Sequence, residues 1–150
     1  MRIALYQPDI PQNAGNIFRL GACLGVPVDI IEPTGFIFDD KKFKRSAMDY
    51  INHIEYKRHI DWQHFYDWTK KNKFRLILMT TKASQSFYKF EFFSTDILLF
   101  GRESAGVPDK VHKSIKDRLK IPMKNDKRSL NIASSVAIIL AESLKQNELI

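Results

Sequence analysis

The sequence has a single cysteine, Cys23, among its 150 residues. One cysteine cannot form an internal disulfide or a cysteine-based zinc site, so a disulfide scaffold is disfavoured and a reducing, cytoplasmic setting is expected. No stretch approaches the ~18 uninterrupted apolar residues that a membrane helix needs. The first residues carry one charge and a short apolar run before Pro8, which is not the pattern of a signal peptide. A membrane protein and a secreted module are therefore disfavoured.

Several signatures of enzyme families are absent as well. No GxGxxG fingerprint follows the first apolar run, which disfavours an ordinary NAD enzyme, and there is no GxSxG elbow or Ser–His–Asp pattern. The four histidines have no carboxylate or cysteine at zinc spacing, so no metal is expected. Repeats and Gly/Ser/Pro-rich linkers are also missing, which predicts one domain over residues 1–150.

Positive charge is in excess, with 24 Lys and Arg against 17 Asp and Glu and a formal net charge of +7. Such an excess suggests a polyanionic partner, because Lys and Arg that neutralise phosphates release counterions. A basic cluster that could hold an RNA backbone is formed by Lys41, Lys42, Lys44 and Arg45. The alternative interpretation, a solvated helix face, stays open.

Short apolar runs alternate with helical patterns along the chain. Strands are predicted at residues 2–6, 28–31, 76–79, 97–100 and 119–121, and helices at 13–24, 62–71 and 129–144. This alternation predicts an α/β domain with a mainly parallel sheet flanked by helices. In such sheets the ligand site lies at the carboxyl ends of the strands, so the loops after these ends are the candidates for function.

The first of these loops, with the helix it leads into, is QPDIPQNAGNIFR at residues 7–19. Asn13, Gly15 and Asn16 are predicted to open the helix with capping side chains and a bare backbone, and exposed amides at a helix start form an anion site. Arg19, one turn further along, could hold a phosphate or carboxylate through a two-pronged contact. The alternative is a capped helix with a solvated arginine.

The second loop, LLFGRESAGVP at residues 98–108, carries Gly101, Glu103 and Gly106 after a buried strand. Glycines there let the backbone approach a ligand closely. Pro108 is expected at the start of a helix. The alternative is an ordinary strand-to-helix turn.

The third segment, at residues 121–142, contains a polar and basic loop at 123–128, followed by Ser129 and Asn131 at the entry of an apolar helix. The simplest interpretation makes Ser129 the N-cap of that helix.

NAGNIFR, FGRESAG and the IPM…RSLN segment, in this order, resemble the three motifs of SPOUT-class RNA methyltransferases. IEPTGF, DDKKFKR…DY and LMTTK narrow the resemblance to the single-domain tRNA (cytidine/uridine 34)-2′-O-methyltransferases, over nearly the whole chain. The resemblance implies a parallel α/β sheet with a deep C-terminal trefoil knot, a feature that is otherwise nearly absent from folds. It also implies S-adenosylmethionine as methyl donor, S-adenosylhomocysteine as product, a homodimer, and the wobble nucleotide of the tRNA anticodon loop as target.

The resemblance also implies roles for individual residues. Arg19 takes the position for which the family proposes a base; a guanidinium is a poor base, so it is expected to fix a phosphate and steady the developing alkoxide. Asn16 would orient the Arg19 loop, Glu103 would brace that loop or the donor loop, and the basic cluster would bind RNA. Contacts to the donor are expected at Met79, Gly101, Gly106, Ile121, Met123, Ser129 and Asn131.

The chain departs from the family pattern in its last helix, where Ala141-Glu142-Ser143-Leu144 replaces Tyr-Glu-Ala-Trp. Three alternatives stay open from the sequence. These are a non-catalytic RNA-binding module, a SPOUT methyltransferase acting on another tRNA or rRNA ribose, and a nucleotide-binding enzyme of flavodoxin or Rossmann type.

Overall fold

The computed structural model describes residues 1–38, 41–124 and 129–150, with the backbone alone at 48 and 49. Part of the predicted basic loop, residues 125–128, and residues 39 and 40 of the DDKKFKR segment lie outside the described residues. The strands are β1 (Arg2–Tyr6), β2 (Val28–Ile31), β3 (Tyr56–His59), β4 (Arg75–Met79), β5 (Gln85–Ser86), β6 (Asp96–Phe100) and β7 (Asp117–Lys120). The α-helices are α1 (Pro11–Leu24), α2 (Lys41–Ala47), α3 (Trp62–Lys71), α4 (Asp109–Ser114) and α5 (Ile132–Gln146), and two 3₁₀ turns cover Met48–Asn52 and Phe87–Lys89.

The strands form one sheet in the order β3-β2-β1-β6-β4-β7-β5, and every pair is parallel. Its central strand β6 is buried along its whole length. Leu98 packs with Phe18 and Leu140 on one face, and its neighbour Leu99 packs with Phe65 on the other. Because successive side chains of a strand point to opposite faces, a strand covered on both sides is apolar throughout. The predicted α/β architecture with a parallel sheet is confirmed.

The two strands that the sequence did not predict are β3 and β5, which lie at the two edges of the sheet. Tyr56, Lys57 and Arg58 of β3 are exposed, and only His59 is buried. Charged side chains are common on edge strands, where they discourage pairing with other chains, so β3 carries no apolar pattern. β5 has two residues, too few for any periodicity.

The helix boundaries correct two of the capping predictions. α1 begins at Pro11, after Ile10, with no side-chain cap; proline suits a first helical position because its missing N–H has no partner there. The prediction that Asn13, Gly15 and Asn16 open this helix is therefore wrong. α5 begins at Ile132 and its N-cap is Asn131, whose side chain accepts two backbone N–H groups, so Ser129 is not the cap.

Other boundaries follow the predictions more closely. Gly25 ends α1 in the left-handed conformation with φ of 66°, and α4 begins directly after Pro108. The last predicted strand lies two residues earlier at its start and one earlier at its end than expected. Among the described helices, none has the length and apolar character needed to cross a bilayer.

Candidate functional site

A cavity of about 540 Å³ opens where β4, β6 and β7 end, a volume typical of small-molecule sites. The residues around it come from the three loops that the sequence singled out and from the end of β4. All seven predicted donor-binding residues line it, namely Met79, Gly101, Gly106, Ile121, Met123, Ser129 and Asn131. Glu103 lines it as well. The structure thus brings together residues that are up to 52 positions apart, since the set runs from 79 to 131.

One wall of this cavity is the turn at residues 101–106. Arg102 and Gly106 exchange two backbone hydrogen bonds, of 2.9 and 2.8 Å, which close the turn on itself. A Cβ at Gly101 would lie 2.6 Å from the carbonyl carbon of Gly106, and Gly106 has a φ of +66°. Glycine was expected here so that the backbone could approach a ligand. The closest neighbour of Gly101 is instead the backbone of its own turn.

A chain of side-chain hydrogen bonds joins the three sequence motifs beside the cavity. Asn13 donates through Nδ2 to Glu103 Oε1 at 3.1 Å, and its Oδ1 accepts from Asn131 Nδ2 at 3.0 Å. Asn131 in turn uses its own oxygen to cap α5. The three segments therefore hold one another in place. Glu103 and Asn131 lie at the two ends of this chain, and the structure places Asn13 between them.

The sequence assigned Asn13 a capping role and so missed this position. Asn13 is only 8% exposed and lies in the interior of α1. A signal was present, because residues 13, 17, 20 and 24 share one helical stripe and only the first is polar. A polar residue in line with an apolar stripe faces inward and needs a partner.

An ion pair between Asp9 and Arg102 adds a second connection between the first and second loops. Arg102 donates to Asp9 Oδ1 from Nη2 at 2.7 Å and from Nε at 3.1 Å. The guanidinium holds the pKa of Asp9 below its usual value, and the carboxylate raises the pKa of Arg102. The sequence did not single out either residue, since their contact depends on β1 lying next to β6, which no local pattern predicts.

Arg19 and Asn16 do not line the cavity. Both are on the exposed side of α1, three residues apart, and the Arg19 guanidinium lies 5.5 Å from the ring centroid of Tyr50. Within the described ranges the side chain of Asn16 makes no hydrogen bond, although its backbone belongs to the helix. Arg19 lies inside a regular helix and not in a loop, and a role of Asn16 in orienting it stays a prediction.

Gly15 also has a role other than the predicted one. A Cβ there would lie 2.5 Å from Ser46 Cβ and 2.8 Å from the carbonyl oxygen of Phe43, so glycine lets α1 and α2 pack closely.

The predicted RNA-binding cluster lies on α2, away from the cavity lining. Phe43 and Ala47 of this helix are buried, whereas the four basic residues, Lys41, Lys42, Lys44 and Arg45, are all exposed. Tyr50, which contacts Arg19, follows α2 in the adjoining 3₁₀ turn. Arg19 therefore lies near the segment that carries the basic cluster.

In the part of the chain that the structure describes, no group of three or more His, Cys, Asp or Glu side chains could hold a metal ion. His59 is fully buried, with Nε2 2.8 Å from Asp29 Oδ1, and Asp29 Oδ2 accepts from Arg2 Nε at 2.6 Å. This histidine packs inside the protein beside a carboxylate that is itself paired, on the face of the sheet that α3 covers.

Comparison with known proteins gives a consistent result. The profile of the SpoU rRNA methylase family matches residues 1–141. The chain is 50% identical over 144 residues to a tRNA (cytidine(34)-2′-O)-methyltransferase of Beijerinckia indica, covering 96% of this chain and 90% of that protein. A structure from a study of 2-OH methylation of C/U34 on tRNA is 38% identical, with a TM-score of 0.92 over 97% of this chain and 94% of that one.

A more distant structure shares the fold. The SpoU methyltransferase AviRb of Streptomyces viridochromogenes, solved in complex with the cofactor AdoMet, has a TM-score of 0.89 at 23% identity. The match covers 97% of this chain and 57% of that one.

Proposed function

Because this chain belongs to the SpoU rRNA methylase family, we propose that it is a tRNA (cytidine/uridine(34)-2′-O)-methyltransferase. In this role it methylates the ribose of the wobble nucleotide with S-adenosylmethionine as donor and releases S-adenosylhomocysteine. The observation that carries the proposal is the convergence of all three family motifs on one cavity. The relatives named above for nucleotide 34 support the choice of substrate.

The cavity suits a donor that combines an adenosine with a methionine. Apolar side chains from the strand ends, such as Leu78 and Phe100, lie next to polar groups of Thr80, Ser129 and Asn131. Its volume lies in the range of sites for ligands of this size. Bound there, S-adenosylmethionine supplies a methyl group activated by a sulfonium.

The protein must align the ribose hydroxyl with that methyl group and provide for loss of the hydroxyl proton. Arg19 cannot take the proton, because a guanidinium stays protonated. We assign it to a tRNA phosphate, held by two parallel hydrogen bonds, and that phosphate would relay the hydroxyl proton to solvent. The charge of Arg19 would also stabilise the oxygen as it loses its proton. Glu103 and Asn131, tied through Asn13, would keep the donor side of the site rigid.

The tRNA side of the site is proposed to include the exposed basic residues of α2. Arg19 lies beside the segment that follows α2, so one RNA strand can contact both. Lys and Arg side chains hold phosphates in any sequence. Such contacts fit an RNA that the protein first binds through its sugar–phosphate backbone.

The assembly is proposed to be an obligate homodimer of one methyltransferase domain, in which each active site borrows residues from the partner. A single protomer offers little surface for an anticodon stem-loop. Ile138, an exposed isoleucine of α5, supports an interface on this helix. We also propose a deep trefoil knot near the C-terminus, and the likeness to SpoU methyltransferases supports it. A cytoplasmic location is proposed as well, and the lone Cys23 supports it.

The direct test is methyl transfer to a tRNA transcript that carries cytidine or uridine at nucleotide 34. We expect one methyl group per tRNA, and none on a matched transcript with a 2′-deoxyribose at that nucleotide. Mapping 2′-O-methylation in tRNA from cells with and without the protein identifies the substrates. Equal methylation of the deoxy transcript would place the modification elsewhere and reject the assignment.

A further inference from the structure

Asp9 makes several hydrogen bonds and an ion pair to one wall of the cavity, although the proposed function gives it no role. It follows β1 by three residues, and its side chain is 19% exposed. Three consecutive residues of the 101–106 turn bond to it. Arg102 donates twice to Oδ1, and Ser104 donates to Oδ2 from its backbone N–H at 3.2 Å and from its hydroxyl. The backbone N–H of Asp9 donates to Glu103 Oε2 at 2.9 Å.

The opposite side of Asp9 is also fixed. Gly35, in the IEPTGF segment, donates its backbone N–H to the carbonyl of Pro8 at 2.9 Å. A Cβ at Gly35 would lie 3.0 Å from Asp9 Cα and 3.2 Å from Asp9 Oδ1. Asp9 is therefore clamped between this segment and the turn. A carboxylate held this firmly can fix the position of the groups that bond to it.

Removal of the Asp9 carboxylate would leave the turn with fewer restraints. Arg102 would lose its ion-pair partner, and Ser104 would lose the acceptor of both its bonds. The remaining ties are the bonds of Glu103 to Asn13 and to the backbone N–H of Asp9, a 3.5 Å bond from Arg102 Nη1 to Gln7 Oε1, and the bridge inside the turn between Arg102 and Gly106. Asp9 does not line the cavity itself. Its effect on a ligand is therefore indirect, through the turn that it holds.

We propose that Asp9 is a positioning residue for the methyl donor: through Arg102 and Ser104 it holds the 101–106 turn in the conformation that binds S-adenosylmethionine. This inference rests on the proposed function, since it takes the same cavity as the donor site. It assigns Asp9 to donor affinity and not to the chemical step. The turn forms the donor wall, whereas Arg19, the group assigned to the tRNA phosphate, lies on α1 outside the cavity lining.

The test combines Asp9→Asn, which keeps the size of the side chain and removes its charge, with Arg102→Gln. Titration calorimetry measures the dissociation constants of S-adenosylmethionine and S-adenosylhomocysteine, and steady-state kinetics separate kcat from KM. We expect each single variant to weaken donor binding about tenfold, with kcat at saturating donor within about twofold of wild type. The losses of the two single variants should not multiply in the double variant, because both variants remove the same ion pair.

Asp67→Asn is the matched control. Asp67 is an exposed carboxylate of α3 that accepts one side-chain hydrogen bond, from Gln63, and it lies outside the cavity. The Asp67→Asn variant should leave donor affinity unchanged. Thermal unfolding without donor separates a general loss of stability from a loss confined to binding. Donor affinity unchanged in a folded Asp9→Asn protein, or losses that multiply in the double variant, would overturn the inference. A wild-type protein that binds no donor would instead overturn the proposed function.

Discussion

Arg19 separates the functional from the purely structural interpretation of the first motif. Replacing it by alanine removes the group assigned to the tRNA phosphate, so activity should fall about 10²-fold or more, the scale of losing a positioned catalytic group. Donor affinity should be retained, because Arg19 does not line the cavity. Single-turnover methyl transfer and donor titration on the same protein measure the two quantities.

The lysine variant refines the same prediction. Arg19→Lys keeps the positive charge and loses the planar fork, so its turnover should stay well below that of wild type. If the lysine variant is fully active, the role of Arg19 is reduced to simple charge. If the alanine variant is fully active, Arg19 has no part in the reaction.

Gly101 tests the shape of the cavity wall. In Gly101→Ala the new methyl group would lie 2.6 Å from the Gly106 carbonyl carbon, so the turn must move and donor affinity should fall at least tenfold. The matched control is Gly25→Ala, at a left-handed residue with open space around it and outside the cavity. It should cost about 1–2 kcal/mol of stability and leave donor affinity unchanged. Unchanged donor binding by a folded Gly101→Ala protein would contradict the role assigned to this turn.

At the scale of secondary-structure elements, the capping of α5 gives a clear contrast between two neighbouring residues. Asn131→Ala removes both the N-cap bonds and the partner of Asn13, so the free energy of unfolding should fall by about 1–2 kcal/mol. Ser129→Ala should change stability by less than about 0.5 kcal/mol, because Ser129 is not the cap. Urea unfolding of the two variants measures the difference. A larger loss of unfolding free energy in Ser129→Ala than in Asn131→Ala would contradict the assignment of Asn131 as the N-cap.

The basic face of α2 should contribute to tRNA affinity and not to donor affinity. We expect Lys41→Gln combined with Arg45→Gln to weaken tRNA binding and to lower the slope of log affinity against log salt by about one for each phosphate that the variant no longer neutralises. Binding of the isolated donor serves as the internal control. A salt dependence identical to that of wild type would show that this face is only solvated.

The elements differ in how far the sequence could predict them. Strands β1, β4 and β6 are covered on both faces and were predicted from their apolar runs, whereas the edge strand β3 shows charged side chains and gave no such signal. The order of the strands in the sheet could not be predicted from the sequence, because it depends on pairing between distant segments. The position of the cavity was nevertheless predictable, since parallel sheets place ligands at the carboxyl ends of their strands and the motifs follow those ends.

The parts of the site that the sequence missed are its long-range polar interactions. Asp9 and Arg102 are 93 residues apart, and Asn13 and Asn131 are 118 apart, so no local pattern connects them. The first contact requires β1 and β6 to lie side by side, and the second requires α1 to pack against α5.

At the scale of the whole molecule, the distribution of charge favours a polyanionic substrate. Among the described residues, four arginines pair with carboxylates, namely Arg2, Arg75, Arg102 and Arg58. The carboxylates of the first two pairs, Asp29 and Asp96, are fully buried. These pairs remove equal numbers of positive and negative charges, so the excess of +7 rests on the other ionisable residues, which include the exposed basic residues of α2. Such an excess favours rapid electrostatic association with tRNA.

The assembly leads to the last prediction. Ile138 is 39% exposed on α5, and Ala141, three residues on and on the same side of the helix, is also exposed. A two-fold interface uses the same surface patch on both subunits. One substitution in this patch therefore places two buried charges in the interface. Ile138→Asp should therefore convert the proposed dimer to a monomer in light scattering and reduce tRNA methylation with it. Ile60→Asp, at an isoleucine that is 75% exposed and lies between β3 and α3, should leave both unchanged. A wild-type protein that is active and monomeric at the assay concentration would contradict the requirement for a dimer, because one protomer would then bind and methylate the anticodon stem-loop alone.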